Sequence, residues 1–352
     1  MSGFVSGCGQ RLTPRRLAGA LALGVLACGI VLAVAPQIGY MMTPGGGHLR
    51  LLGLRAFDAS APEHELFLVR LPRVLAAMVI GAALSASGCA LQALLRNPLA
   101  EPFTLGISSG SSLAAVLAIR FGIEGAFGGL GVALSALAGA AVTLIMIERL
   151  ARVGKQLPPA TIVLAGVTIS MFCSSASVLI QYTSDFSDVS HMLAWMVGSL
   201  SSMRLGSVGY ATVPIAIGLA VLVLYARELN ALAAGPDVAA SLGVAVARTE
   251  TIVFAVASLL VGVAIALAGP IGFVGLIVPH TLRALLGPDH RLLMPASMFG
   301  GAVLLVICDT LARTLIAPAG LPTGAVTAVL GGPFFVMILI RSKRSASMWG
   351  RA

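Results

Sequence analysis

The chain has 352 residues, 58% hydrophobic and only 10% charged, with a mean hydropathy of +1.01. Too few polar residues remain to cover a water-soluble fold, and disorder would need low hydrophobicity and high charge. The net charge of +9, from 22 Lys and Arg against 13 Asp and Glu, reads as the cytoplasmic bias of a membrane protein and not as a nucleic-acid surface.

A membrane-spanning helix takes about 20 apolar residues, so this length has room for roughly eight to eleven. The apolar runs are continuous, without the alternation of a β-barrel, and 41 Gly suit helices that approach closely. An all-α polytopic fold of about ten spans is expected, as one domain over 1–352. Candidate spans lie near 17–38, 74–95, 105–120, 127–148, 160–182, 207–226, 249–269, 272–286, 292–313 and 323–340. Those at 105–120 and 272–286 are short and rich in Gly or Pro. Arg11, Arg15 and Arg16 precede the first run without a convincing cleavage site, so that span is expected to stay attached. With the N-terminus inside, 15 of the 22 cations fall in the cytoplasm. This bias places the tails 1–16 and 342–352 there.

In chain order, the outside segment 41–65 holds Pro44-Gly45-Gly46-Gly47 and the acids Asp58, Glu63 and Glu65. Arg70 and Arg73 follow, flanking Pro72 at the expected start of a helix, where charge bias and helix dipole both disfavour cations. Glu63 and Glu65 offer them partners, as Asp309 does for Arg313 four residues later. Gly81–Gly88 and Gly262–Gly269 echo each other on oppositely directed helices, the pattern of an inverted repeat. Asn97-Pro98-Leu99-Ala100-Glu101-Pro102 ends a helix inside, and Gly269-Pro270-Ile271-Gly272 through Pro279-His280 breaks another. Such breaks mark a pathway or hinge, because bare backbone at membrane depth must be buried by protein or wetted; a simple kink is the bland alternative. An amphipathic piece at 191–198 is expected to lie flat or dip into the membrane.

The cytoplasmic segment 227–248 contains Leu229 and Leu232 on one apolar face. Gly235 ends that turn, Pro236 opens the next at a favoured position, and Asp237 complements its dipole. Two short helices with a sharp bend suit a partner's groove, or else rest on the chain's own membrane domain. No enzyme constellation is present: Gly154-Lys155-Gln156 lacks the earlier Gly of a phosphate loop, so the chain is not expected to hydrolyse ATP. The cysteines Cys8, Cys28, Cys89, Cys173 and Cys308 are scattered, with neither disulfide framework nor metal cluster. His191, Met192, Met196, His280 and Met294 have the chemistry of soft ligands, but packing explains them better. Glu101, Glu148 and Asp309 all fall near span ends, which weakens an ion-coupled carrier.

Arg70-Leu-Pro-Arg73, Gly81-Ala-Ala-Leu84, Gly88, Gln92, Asn97–Pro102, Leu164-Ala-Gly-Val167, Met196–Leu200, Leu229–Val244, Gly269–His280, Asp289-His-Arg291 and Leu321–Pro333 together resemble the permease family that imports iron-siderophores, heme and vitamin B12. The resemblance runs in order from about residue 66 to 341. It implies a type II ATP-binding-cassette importer of the bacterial inner membrane. Two permease copies would work with two ATPase subunits holding ATP and Mg and with a periplasmic binding protein. It identifies Leu229, Leu232, Gly235, Pro236, Asp237, Ala240, Leu242 and Gly243 as the ATPase-coupling segment, with Pro236 standing where relatives often carry an acid. Arg70, Arg73 and Arg313 match arginines that grip the binding protein. Asn97 and Leu99 match the cytoplasmic gate, whose second half falls on Pro158 and Pro159 in place of small hydroxylated residues. The implied cargo is a metal chelate, with heme favoured over a ferric siderophore or vitamin B12. The chain itself would hold no cofactor and no metal. An ion-coupled secondary transporter of a small solute and a purely signalling receptor are the other classes.

Overall fold

A computed structural model describes residues 13–43, 46–58, 60–154 and 156–349. Arg11, Cys8, the Pro44-Gly45 pair and Lys155 lie outside the described residues. All ten expected spans fall on helices: α1 (Pro14–Val34), α2 (Pro62–Leu94), α3 (Ile107–Arg120), α5 (Gly131–Ala151), α6 (Pro159–Tyr182), α8 (Leu205–Leu224), α11 (Val246–Ala268), α12 (Val274–Leu286), α13 (His290–Thr314) and α14 (Thr323–Trp349). Seven of these are long and apolar enough to cross a membrane among the described residues. Between them lie the short helices α4 (Ala126–Gly129), α7 (Phe186–Met196), α9 (Ala226–Ala234) and α10 (Pro236–Ser241). The 342–352 tail is not separate at its start, since α14 continues to Trp349.

Two local features add to the hydropathy reading. In the outside segment, to which hydropathy assigns no secondary structure, Ile38–Thr43 (β1) and Gly46–Leu51 (β2) form an antiparallel hairpin with Ile38 opposite Leu51. A two-stranded ribbon this short leaves no hydropathy signature against long helices. Secondly, α2 opens at Pro62, twelve residues before the expected span. Pro62 at the first helical position, with Glu63 and Glu65 in the first turn, makes a favourable helix start. The mixed charge of 62–73 hides that start from a hydropathy window. Arg70 and Arg73 therefore sit two to three turns inside α2, beyond the reach of its N-terminal dipole.

The centre is α2, packed along α13, α11 and α12. Glycine makes these crossings possible. A Cβ on Gly81 would collide with the Gly301 carbonyl of α13, and one on Gly301 with that of Gly81. Gly88 meets the Gly275 carbonyl of α12 in the same way. Without a hydrophobic drive between helices in lipid, such close backbone approach supplies the packing energy.

Polar contacts sort the helix ends into two sets, as alternating spans require. On one side the Arg283 guanidinium donates to Gln92 (2.9 Å), the Leu157 N–H to Glu250 (3.2 Å) and Asn230 to Asp289 (2.8 Å). On the other, Arg73 meets Asp309 (2.8 Å), Arg120 meets Asp188 (3.7 Å) and His191 meets Glu124 (3.5 Å). The last two pairs fasten α7 across the turn after α3, so the amphipathic piece is a helix clamped at one face of the bundle.

Candidate functional site

Functional geometry gathers at the two ends of α13. At the outer end, the Asp309 carboxylate has 0% side-chain exposure and lies between two guanidiniums. Arg73 Nε donates to both of its oxygens, at 2.8 and 2.9 Å. Arg313, one turn on, approaches at 3.6 Å with a side chain only 9% exposed. Thr323 at the start of α14 donates its hydroxyl to Asp309 (2.9 Å). Arg313 Nη2 also donates to the Ala35 carbonyl after α1 (2.6 Å), while its Nε and Nη1 have no hydrogen-bond partner. Arg70 uses no acid. It donates to the carbonyls of Tyr40 (3.0 Å) and Pro36 (3.4 Å), under strand β1, where Gly39 leaves room for the guanidinium.

The three arginines thus converge on one clasp joining α1, the hairpin, α2, α13 and α14. Neither Glu63 nor Glu65 is its counter-ion; Glu63 pairs with Arg55 at 3.9 Å instead. Two guanidiniums share the Asp309 carboxylate and Arg70 adds a third cation held only by carbonyls, so the clasp carries surplus positive charge.

Deeper in, the broken segments meet. Pro102–Leu105 forms a 3₁₀ turn after α2, and Gly269, at φ +70°, ends α11. Pro270, Ile271 and Gly272 then run non-helically to Phe273, whose φ of +69° starts α12. Glu101 is buried and accepts the Phe273 N–H, supplying the cap that α12 lacks locally. Burial pushes the Glu101 carboxyl above the ordinary carboxylate range, against the pull of that N–H. Ser199 N–H donates to Ala268 (2.8 Å) and Gly324 N–H to Gly198 (3.0 Å), so the turn after α7 and the start of α14 close on this break. Pro279, in contrast, lies inside α12 and does not break it.

Asn97 accepts the Leu99 N–H (3.0 Å), and exposed Pro98 sits within that small turn. Pro158 and Pro159 form no loose loop. They cap and open α6, the favoured place for proline, while the preceding Leu157 N–H is held by Glu250.

The coupling segment differs from expectation in which face is free. Leu229 (0% exposed) and Leu232 turn into the chain's own core, because α9 lies against α2 and α13. The exposed step is α10, with Asp237, Ala240 and Gly243 at the surface and Val238 and Leu242 at 45% and 69% exposure. Gly235 joins the helices at φ +126°, ψ 151°, a region only glycine occupies readily. Pro236 is the first residue of α10.

Sequence reasoning missed Asn230. Its amide spans from α9 to the cap of α13: Nδ2 donates to Asp289 (2.8 Å), and Oδ1 accepts the His290 N–H (2.8 Å). A polar residue between Leu229 and the buried Ala231 was the available signal. Of the soft-ligand residues, Met192 and Met294 are core, His191 pairs with Glu124, and His280 stands edge-on to Phe334. They are not assembled in one place.

The FecCD transport family model matches residues 38–341. The hemin transport system permease protein of Yersinia pestis is 38% identical over 79% of this chain and 84% of its own. The vitamin B12 import system permease protein of Escherichia coli is 37% identical over 82% and 87%. The cobalamin import system permease protein of Halobacterium salinarum is 39% identical over 77% and 72%. A solved metal-chelate type ABC transporter in an inward-facing conformation has a TM-score of 0.77 at 29% identity, covering 92% of this chain and 99% of that one.

Proposed function

The chain belongs to the FecCD transport family, and from that premise we propose that it carries heme, or a metal chelate of the same class, inward across the bacterial inner membrane. At the coarser level it is a multi-pass permease of the metal-chelate, hemin or vitamin B12 type of ABC importer. In our reading two copies enclose the path and two separate ATPase subunits, loaded with ATP and Mg, drive it. A periplasmic binding protein delivers the cargo.

The observation that carries this reading is the two-ended architecture of α13. One end bears a clasp with more cations than carboxylates, suited to acids on a delivering protein. The other lies beside a small exposed step with apolar Val238 and Leu242, suited to an ATPase cleft. In our reading the Asn97–Leu99 turn and the Pro158–Pro159 helix start form the two halves of the inner gate. The similarity to hemin and to B12 permeases at nearly equal identity supports the chelate class. Within that class heme remains our choice.

The test is reconstitution of the permease with its ATPase and binding protein in liposomes. Uptake of heme, cyanocobalamin and a ferric catecholate is measured side by side. ATP-dependent uptake led by heme is expected. ATP-dependent uptake of another chelate would overturn the cargo alone. Uptake by the permease without any ATPase, driven by an ion gradient, would overturn the importer reading.

A further inference from the structure

The exposed step of α10 and the outer clasp lie on opposite faces of the bundle, and one fastening lies between α9 and the helix that reaches that clasp. Asn230 of α9 makes three hydrogen bonds to two consecutive residues at the start of α13. Nδ2 donates to Asp289 Oδ1, while Oδ1 accepts both the backbone N–H and the ring Nδ1–H of His290, each at 2.8 Å. Asp289 is the N-cap of α13, accepting the Arg291 N–H at 3.0 Å and the Arg291 guanidinium at 2.6 Å. His290 is buried, while Asp289 at the same joint keeps a part-exposed carboxylate. Leu229 and Leu232 press the same face of α9 into the core.

From there α13 runs 25 residues, about 37 Å at 1.5 Å per residue. On the way it is locked to α2 at Gly81–Gly301. It ends at Asp309 and Arg313, which hold Arg73, Ala35 and Thr323. A displacement of α9 has few other polar routes into the bundle, whereas through Asn230 it bears directly on the helix that organises the outer clasp.

We propose that Asn230, with Asp289 and His290, is the transmission joint of this permease: a set of positioning residues through which movement of the ATPase-facing segment is passed along α13 to the outer arginines, and back. This rests on the functional reading above. Because coupling between two binding events is reciprocal, the joint should govern both the binding protein's effect on ATP hydrolysis and the nucleotide's effect on binding-protein affinity.

The experiment uses the assembled permease–ATPase complex in nanodiscs. Readouts are basal ATPase rate, stimulation by the binding protein, and binding-protein affinity with and without ATP. Asn230→Ala removes the joint, and Asn230→Asp sets a like charge against Asp289. The pair Asn230→Asp with Asp289→Asn rebuilds the bonds with polarity exchanged, since Asn still caps a helix and Asp still accepts from His290. Both single variants should assemble and hydrolyse ATP at the basal rate. They should lose stimulation and nucleotide-dependent affinity by at least about fivefold, and the exchanged pair should regain most of each. Arg291→Ala, which removes the guanidinium bonds to Asp289 but leaves all three Asn230 bonds in place, should couple normally.

Equal stimulation in wild type and both single variants would overturn the joint while leaving the importer reading intact. So would variants that lose ATPase association, or an exchanged pair that restores thermal stability but not coupling. A wild-type chain that recruits no ATPase would overturn the functional reading instead, and the joint with it.

Discussion

Asp309 shows what a single buried carboxylate can organise. Removing one partner of such a pair strands the other charge in an apolar setting, which costs roughly 3–5 kcal/mol. Asp309→Ala is expected to lower the unfolding temperature of the solubilised protein sharply. The triple replacement Asp309→Leu, Arg73→Met and Arg313→Met should recover most of that loss, since both guanidiniums that face Asp309 go with it and packed apolar residues often equal a buried ionic cluster. An unchanged melting curve for Asp309→Ala would show that Arg73 finds another partner. The same geometry selects the arginine for testing docking. Reversing Arg313 would set an acid against Asp309, whereas Arg70 is held only by carbonyl oxygens. Arg70→Glu is expected to weaken the binding protein by about tenfold at low salt, with a smaller deficit at high salt. Titration across ionic strengths measures both.

At the scale of elements, two expectations follow from caps and crossings. The Arg291 guanidinium, then the Asn230 amide, hold the Asp289 carboxyl at about 2, below its ordinary 3.8. A carboxyl lowered by folding stabilises above its ordinary value and loses that contribution as pH falls toward the folded value. The α13 cap should therefore weaken between about pH 4 and pH 2, and Asp289→Asn should flatten that part of the unfolding-temperature profile. At the α2–α12 crossing, Gly88→Leu has no space beside the Gly275 carbonyl and should cost roughly 3 kcal/mol or more. Loss of folded protein in a detergent-stability assay would register it.

How far these elements were legible depends on the signal each leaves. The long helices announce themselves by hydropathy, and the Gly235–Pro236 bend by the two residues that punctuate it. The first turns of α2 were hidden because their residues carry charge beyond the apolar window. The inward turn of Leu229 and Leu232 was hidden because two leucines fit an own-core face and a partner's groove equally well. Asn230–Asp289 and Glu101–Phe273 join residues 59 and 172 positions apart, and a single sequence carries no distance information at that range. Glu101 could be placed near a helix end; its role as a cap for α12 could not.

At the scale of the whole molecule, the proposed importer takes its energy from a separate ATPase. Liposomes containing the permease alone are expected to show neither ATP hydrolysis nor chelate uptake, measured by phosphate release and by trapped cargo. The Gly235→Val variant should separate assembly from transport in the full complex. Among the described residues, none beyond its chain neighbours comes within 4 Å of the added Cβ, so the cost is conformational: a β-branched residue at φ +126°. The membrane domain should fold and melt normally while ATP-driven uptake collapses; normal uptake would show that the bend is not a transmission contact.

The enclosed position of α2 has a genetic consequence. With α11 and α13 it is sheathed by the chain's own side chains, so lipid and cargo must divide the outer helices between them. α6 presents Leu164, Met171, Phe172, Leu179 and Tyr182 outward. A path between two copies, as proposed here, then has half its lining on each, and no copy owns a complete one. Inheritance of a defect should follow: when Gly235→Val and wild-type genes are expressed equally, random pairing leaves only about a quarter of the pairs free of a defective copy. The mutant allele is expected to act dominantly, with uptake falling well below the half that independent channels would retain.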